Sequence, residues 1–315
     1  MSQAGTLTPP VGAWWEDATF EGELFLPGQS SLDTEGQALL ESMASAVDQG
    51  NVSIPPMPAV AMDLVKLMRR PDSDLDAVAD KIKLDAAMTA QVLRFANSSL
   101  FGARHSIDNV HHAASYLGIK RLKTVILEAA LKKLSGDLRA EAYAKMEWQY
   151  SLAAASIARG LGRRRGLDPE TCYLAGLLHD IGRLPLLQDL DQRGKLGDVP
   201  SADDPVDIIV EALHRGVGKQ VAQTWELPPA ITDAIGNHLT GRFADEDSLA
   251  QFDSTRMAEA AGDLCIALGI GRHQRRFDVL GSPSFVDLRL SREVLVDFFQ
   301  TELPEILVEV AALSS

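Results

Sequence analysis

Apolar residues recur at helical spacing from Ile54 almost to the end of the chain, and the first clear run is Val60, Leu64 and Leu67. A repeat of three to four residues places side chains on one face of an α-helix. Similar runs follow, and most begin at a residue whose side chain can cap a helix N-terminus. These runs predict helices that start near Ser73 (with Asp76 as a capping box), Asp85, Asp108, Trp148, Asp168, Val206, Pro229 and Ser254. The pattern therefore predicts an all-α fold.

One of these predicted helices begins at Asp168-Pro169 and continues through the run AGLLHDIGRLPLL. Gly176 and Gly182 lie within it and would allow another backbone to approach closely. Two polar segments predict loops: residues 162–166, which carry three consecutive arginines, and residues 188–204.

The first 49 residues differ from the rest of the chain and predict an N-terminal extension. Trp14 and Trp15 lie near prolines and glycines, residues 19–26 alternate loosely as a short extended arm would, and residues 37–47 predict a helix. Exposed aromatic side chains often anchor interfaces, so this extension is a candidate partner-binding arm. The alternative, in which it folds back over the core, stays open.

The composition of the chain disfavours two classes of protein, those that bind nucleic acid without sequence preference and those that span a membrane. Aromatic residues are sparse at 6%, and the net charge is −14. Sequence-independent nucleic-acid binding is disfavoured, because it needs Lys and Arg to neutralise phosphates. Cys172 and Cys265 lie in apolar patterns, which predicts buried thiols in a reducing compartment. The first residues lack a signal-peptide pattern, and no apolar run approaches the length of a membrane span. We therefore expect a cytoplasmic protein without membrane contact.

A histidine followed directly by an aspartate, His179-Asp180, stands between apolar neighbours. Imidazole nitrogen and carboxylate oxygen both suit divalent transition metals, so the pair is a candidate metal site. The alternative is that both side chains only form hydrogen bonds at a helix junction. His111 and His112 are also adjacent, but consecutive helical residues diverge by about 100°. We expect these two to be solvated or capping residues.

The stretch from Tyr173 to Leu184, YLAGLLHDIGRL, resembles the signature of the HD superfamily of metal-dependent phosphohydrolases. Segments on both sides resemble one branch of it, the HDOD (HD-related output domain) family. These segments are Pro55-Pro56-Met57-Pro58; residues 79–96 with Asn97-Ser98 and Phe101-Gly102; residues 113–118 with Arg121-Leu122; residues 214–228 with Trp225, Leu227 and Pro228; and Ile235 with His238.

The resemblance covers residues 50 to about 270 and implies an all-α fold in two lobes. These would be an N-terminal helical lobe (residues 50–140) and an HD-like helical bundle (residues 141–270). The N-terminal extension (residues 1–49) and a C-terminal helical tail (residues 271–315) lie outside it.

The resemblance also implies a metal site. Active HD enzymes hold one or two ions with an early histidine, the His-Asp pair, further histidines and a late aspartate. The matching positions are His179, Asp180, His214, His238 and Asp263. The early histidine is missing: Tyr150 stands near its place, and no histidine lies between His112 and His179. A phenol that titrates near pH 10 is a poor ligand. We therefore expect a remnant site with no catalytic residue, no cofactor and, at most, a weakly bound divalent metal.

The expected function is non-catalytic signal transduction through contact with a signalling protein, such as a response regulator or a cyclic-dinucleotide enzyme. One alternative is a metal-dependent phosphohydrolase acting on a nucleotide or a cyclic dinucleotide. A second is a DNA-binding regulator that uses the helix pair at residues 113–131, where Lys120, Arg121 and Lys123 follow Gly118. The negative charge and the match to the family's own helices favour a core role for this pair. The oligomeric state stays open.

Overall fold

A computed structural model describes residues 32–68, 74–98, 106–136, 138, 140–197, 205–238, 253–271 and 278–314. No strand occurs among these residues. The helices are α1 (Thr34–Asp48), α2 (Ala59–Met68), α3 (Leu75–Lys83), α4 (Ala86–Ala96), α5 (Val110–Gly136), α6 (Glu141–Arg165), α7 (Pro169–Leu178), α8 (Arg183–Gln192), α9 (Pro205–Thr224), α10 (Pro229–Asn237), α11 (Asp253–Leu268), α12 (Pro283–Val286), α13 (Arg292–Thr301) and α14 (Leu303–Ser314). The predicted all-α fold is confirmed, whereas the predicted extended arm lies outside the described residues.

The chain divides into two compact units, and the smaller one runs from Pro56 to Leu134. It contains α2 to α4 and most of α5, around a core of fully buried apolar side chains that includes Ile82, Val92 and Phe95. The predicted cap of α4 is confirmed, because the Asp85 carboxylate accepts a hydrogen bond of 2.9 Å from the Met88 amide.

Two other predicted caps of this unit are wrong by one residue. The N-cap of α3 is Asp74, whose carboxylate accepts from the Asp76 amide, in place of Ser73. The first amides of α5 donate to the side chain of Asn109, at 2.8 Å from His111, in place of Asp108. Gly118 interrupts α5 with a φ of 70°, a left-handed value that favours glycine, so the predicted break between two helices is confirmed.

The larger unit comprises residues 1–55 and 135–315. Helices α6, α7 and α11 pack against one another, and α8, α9 and α10 complete a bundle beside them. Gly176 allows the closest approach in this bundle: a Cβ atom there would lie 2.5 Å from the carbonyl oxygen of Ala154. The close backbone approach predicted for Gly176 is therefore confirmed.

Both ends of the described chain pack on this bundle. Helix α1 lies on α9, where Gln220 Nε2 donates to the carbonyl oxygen of Val47 at 2.7 Å. At the other end, Glu302 pairs with Arg163 and Arg164, and the Arg164 guanidinium lies over the Phe298 ring at 4.9 Å. These contacts place α1, α13 and α14 in the same unit as the bundle. The lobe boundaries inferred from the resemblance stay predictions.

Three local predictions for this unit are wrong. The helix predicted through the His-Asp pair ends at Leu178, and a new helix begins at Arg183 after a turn. The arginine run is helical to Arg165, and Gly166 ends α6 with a left-handed φ of 78°. Finally, α8 continues to Gln192, into the segment predicted to be a loop.

Cys172 and Cys265 are both buried free thiols, as predicted. Within the described ranges, no helix combines the length and the apolar character that crossing a membrane requires.

Candidate metal centre

The His-Asp pair lies in the turn between α7 and α8, not inside a helix. The His179 amide still donates to the Ala175 carbonyl oxygen at 3.0 Å, and the Arg183 amide donates to the Asp180 carbonyl oxygen at 2.9 Å. Gly182 lets this turn lie against the backbone of α9, because a Cβ atom there would overlap the carbonyl oxygen of His214. The close approach predicted for Gly182 is therefore confirmed, and it brings His214 next to Asp180.

Three ligand atoms converge beside this turn: Asp180 Oδ1, His214 Nε2 and His238 Nε2, called here the three-ligand cluster. Asp180 Oδ1 lies 2.9 Å from His238 Nε2 and 3.4 Å from His214 Nε2. The two imidazole nitrogens are 3.0 Å apart. Both histidines are about 1% exposed, so the cluster is shielded from bulk water.

The main chain fixes which nitrogen of each imidazole carries a proton. His214 Nδ1 lies 2.8 Å from the carbonyl oxygen of Glu211, and His238 Nδ1 lies 2.9 Å from that of Ala234. A carbonyl oxygen can only accept, so each Nδ1 donates, and in a neutral imidazole Nε2 keeps a lone pair. Nε2 of each ring is then the atom that faces the Asp180 carboxylate, at 3.4 Å for His214 and 2.9 Å for His238.

His179 has the same tautomer but a different partner. Its Nδ1 donates to the Gly176 carbonyl oxygen at 2.8 Å, and its Nε2 lies 3.1 Å from Tyr150 Oη. Burial, reinforced by the charge of Asp180, raises the pKa of Tyr150 well above its ordinary value. The phenol therefore keeps its proton and donates it to His179 Nε2.

The charges of the pair follow from burial and proximity. Burial lowers the pKa of His179, although the charge of Asp180 opposes this shift. Burial alone would raise the pKa of Asp180, but His179 and the two other imidazoles outweigh it and hold that pKa well below its usual value. Asp180 is thus an ionised carboxylate among imidazoles.

Asp263, the predicted late aspartate, does not join the three-ligand cluster. Its carboxylate accepts a hydrogen bond from Ser284 Oγ instead. The residue of α11 that faces the pair is Gly262: a Cβ atom there would lie 2.9 Å from Tyr150 Oη and 3.5 Å from His179 Nε2. The turn of α11 that approaches His179 therefore presents no carboxylate at position 262.

A charged network next to the pair went unrecognised in the sequence. Arg183 is 5% exposed, and its guanidinium lies 2.8 Å from Glu211 and 3.4 Å from both Glu147 and Asp207. Burial alone would lower the pKa of Arg183, but Glu147 and Glu211 raise it well above its usual value. The available signal was an arginine within an apolar run, because a buried cation needs acidic partners.

These ligand atoms suit the ion that the resemblance to HD enzymes implies. Asp180 Oδ1 is buried without a hydrogen-bond partner, and the Nε2 atoms of His238 and His214 lie 2.9 and 3.4 Å from it. Such nitrogen and oxygen donors are typical ligands of Zn²⁺, and three protein ligands leave a position open for water or substrate. Asp180, His214 and His238 are therefore the residues that would hold an ion, which would polarise a bound water or a phosphoryl oxygen.

A curated relative and two solved structures resemble this chain. An uncharacterized protein of Treponema pallidum is 22% identical over 240 residues, which are 74% of this chain and 45% of the relative. The chain thus spans less than half the length of that relative. A structure from Shewanella amazonensis, provisionally described as a metal-dependent phosphohydrolase, has a TM-score of 0.69 at 21% identity and covers 90% of this chain and 100% of its own.

An HDOD domain protein of unknown function from Geobacter sulfurreducens has a TM-score of 0.65 at 24% identity, covering 88% of this chain and 99% of its own. At these identities the two structures show the fold alone. The HDOD domain family itself matches residues 54–240, which include the turn at His179 and all three members of the cluster. The match spans more than half of the sequence, and the chain therefore belongs to the HDOD domain family.

Proposed function

We propose that this protein is a non-catalytic regulatory module that transmits a signal through protein–protein contact on a degenerate HD site. The observation that carries the proposal is the hydrogen bond from Tyr150 Oη to His179 Nε2. In this position the phenol takes the lone pair that an HD enzyme gives to its metal.

Two further features support the absence of turnover. Gly262 is the residue of α11 that faces His179, and it has no carboxylate. This position therefore supplies no oxygen ligand on the His179 side of Asp180. In addition, His179, His214 and His238 are at most 3% exposed, which restricts the access of a phosphoester to an ion held there. Membership of the HDOD domain family fits a regulatory role.

The partner proposed for this module is a signalling protein, such as a response regulator or a cyclic-dinucleotide enzyme. Affinity capture from the native cell with the intact chain, compared with a variant lacking Trp14 and Trp15, tests whether the N-terminal arm contributes to that contact.

A metal-dependent phosphohydrolase acting on a nucleotide or a cyclic dinucleotide is the second candidate. The observation that favours it is the convergence of Asp180, His214 and His238, because two histidines and a carboxylate also form catalytic zinc sites. DNA binding through residues 113–131 is less well supported. Of the second helix of that pair, Leu122 and most residues from Thr124 to Leu131 are buried, which leaves little of it to enter a groove.

The deciding experiment measures hydrolysis by the purified chain with added Mn²⁺ on nucleoside triphosphates, cyclic dinucleotides and an activated phosphodiester. We expect no release above that of Mn²⁺ alone. The matched control is Asp180→Asn, which removes the carboxylate charge at nearly constant volume. Hydrolysis by the natural chain that disappears in Asp180→Asn would overturn the proposal in favour of the phosphohydrolase.

A further inference from the structure

We propose that Tyr150, by donating to His179 Nε2, keeps His179 out of the coordination sphere and limits the three-ligand cluster to a single divalent ion. This inference deepens the proposed function and rests, like it, on the hydrogen bond from Tyr150 to His179. Its test counts bound ions and not turnover, so the two outcomes can be distinguished.

The first step concerns the short distances between the three ligand atoms of the cluster. The three atoms Asp180 Oδ1, His214 Nε2 and His238 Nε2 lie between 2.9 and 3.4 Å apart. Nδ1 of both histidines already donates to a main-chain carbonyl oxygen. Ligand atoms at these separations can share one cation, because nitrogen and oxygen ligands of one Zn²⁺ lie about 2.0–2.2 Å from the ion. Asp180 Oδ1 accordingly is buried without a hydrogen-bond donor. Either a metal ion or one extra proton must balance this arrangement.

The second step is the rigidity of the two imidazoles. Carbonyl groups of α9 and α10 hold His214 Nδ1 and His238 Nδ1 at 2.8 and 2.9 Å. Such contacts orient metal-binding histidines and raise the basicity of the opposite nitrogen. Both Nε2 atoms lie within 3.4 Å of one carboxylate oxygen, as a single shared ion requires. The alignment therefore favours the metal.

The third step is that the two carboxylate oxygens of Asp180 have different surroundings. Oδ1 faces His214 of α9 and His238, which follows α10, whereas Oδ2 lies 3.6 Å from His179 Nε2. Tyr150 Oη donates to that same nitrogen at 3.1 Å, so the Oδ2 side lacks a free imidazole lone pair. Glu211, another nearby carboxylate, is paired with Arg183 at 2.8 Å. One side of Asp180 can bind an ion, and the other cannot.

The test measures metal binding and not activity. The full chain is stripped with a chelator, dialysed against Zn²⁺ and analysed for bound metal, and Co²⁺ titration then reports coordination through its visible absorption. We expect one ion per chain. Asp180→Asn should weaken binding by at least about tenfold, because even the loss of a supporting contact costs about 10- to 100-fold. His179→Gln should leave the affinity and the Co²⁺ spectrum unchanged.

Position 150 supplies a matched pair of variants. Tyr150→Phe removes the hydroxyl but adds no ligand, so the chain should still bind one ion. Tyr150→His places a second imidazole beside His179 on the Oδ2 side, and we expect a second ion. Circular dichroism and thermal melting verify that each variant is folded, and Asp180→Asn and Tyr150→Phe change the side-chain volume least.

Three results would overturn the inference. Absence of bound metal at saturating Zn²⁺ means that a proton balances the cluster. Equal weakening by His179→Gln and Asp180→Asn means that His179 is a ligand despite Tyr150. A folded Tyr150→His variant that still binds one ion refutes the role of Tyr150. None of these results depends on whether the chain hydrolyses a phosphoester.

Discussion

The indole nitrogen of Trp225 donates a hydrogen bond of 3.1 Å to the main-chain carbonyl oxygen of Pro55, a residue 170 positions earlier in the chain. Trp225 is fully buried directly after α9, and Pro55 is the last residue before the smaller unit begins. The contact therefore fixes the end of the first segment of the larger unit against the connection between α9 and α10, which separates His214 from His238.

Replacing Trp225 with Phe should destabilise the protein by about 1–3 kcal/mol. The change leaves the Pro55 carbonyl without its donor and leaves part of the indole volume unfilled. Urea unfolding monitored by circular dichroism measures this loss. A change smaller than about 0.5 kcal/mol, the range of ordinary surface substitutions, would mean that water replaces the donor without cost.

Replacing Arg183 with Met should destabilise the protein by about 3–5 kcal/mol, because it leaves the buried carboxylates of Glu147 and Asp207 without their cation. The control is Arg193→Met, which breaks an exposed pair with Asp189 at 2.7 Å. That pair should contribute no more than about 0.5 kcal/mol. Equal effects of the two substitutions in chemical denaturation would contradict a structural role for the buried network.

Replacing Gly182 with Ala should disrupt the contact between the His-Asp turn and α9. The new Cβ atom would overlap the His214 carbonyl oxygen and lie 2.9 Å from Gly218 Cα, which are backbone atoms that cannot rotate away. We expect a loss of at least about 1–3 kcal/mol. The control is Gly136→Ala, where a Cβ atom meets nothing within 4 Å. Thermal melting of both variants checks the prediction, and a Gly182→Ala variant as stable as Gly136→Ala contradicts it.

Periodicity predicted most helices of this protein, but it could not locate the break at Leu178. Apolar residues continue on both sides of His179-Asp180, so the spacing there resembles one uninterrupted helix. The break becomes visible only when Gly182 is placed against α9, a tertiary contact. The N-cap of a helix was predicted correctly where one capping residue was available, as at Asp85. It was misplaced where two possible capping residues are adjacent, as at Asp108 and Asn109.

The candidate site came from the resemblance and not from spacing. His214 lies on α9 and His238 directly follows α10, and no sequence period brings them to Asp180. The resemblance also proposed Asp263, whose carboxylate contacts Ser284 of the C-terminal segment, outside the part of the chain that resembles the family. The contact between Tyr150 and His179 depends on how α6 packs against α7, and only the three-dimensional arrangement reveals it.

Because the Asp263 carboxyl titrates, the free energy of unfolding should fall as the pH rises from about 4 to about 6. Burial raises the pKa of this carboxyl from 3.8 to about 6, although the hydrogen bond from Ser284 opposes the change. The folded state therefore binds the proton more tightly than the unfolded state, and the stabilisation is complete below the unfolded pKa and lost above the folded one. A shift of about two units corresponds to up to about 3 kcal/mol.

The measurement is the free energy of unfolding in urea at a series of pH values, for the natural chain and for Asp263→Asn. Because other titrating groups affect both proteins, the difference between the two curves isolates this carboxyl. We expect the natural chain to lose stability relative to Asp263→Asn between pH 4 and 6, with a constant difference above pH 7. Ser284→Ala removes the hydroxyl that stabilises the ionised carboxylate, so its decline should extend to higher pH. Parallel curves for the natural chain and Asp263→Asn would show that Asp263 titrates at the same pH in the folded and unfolded states.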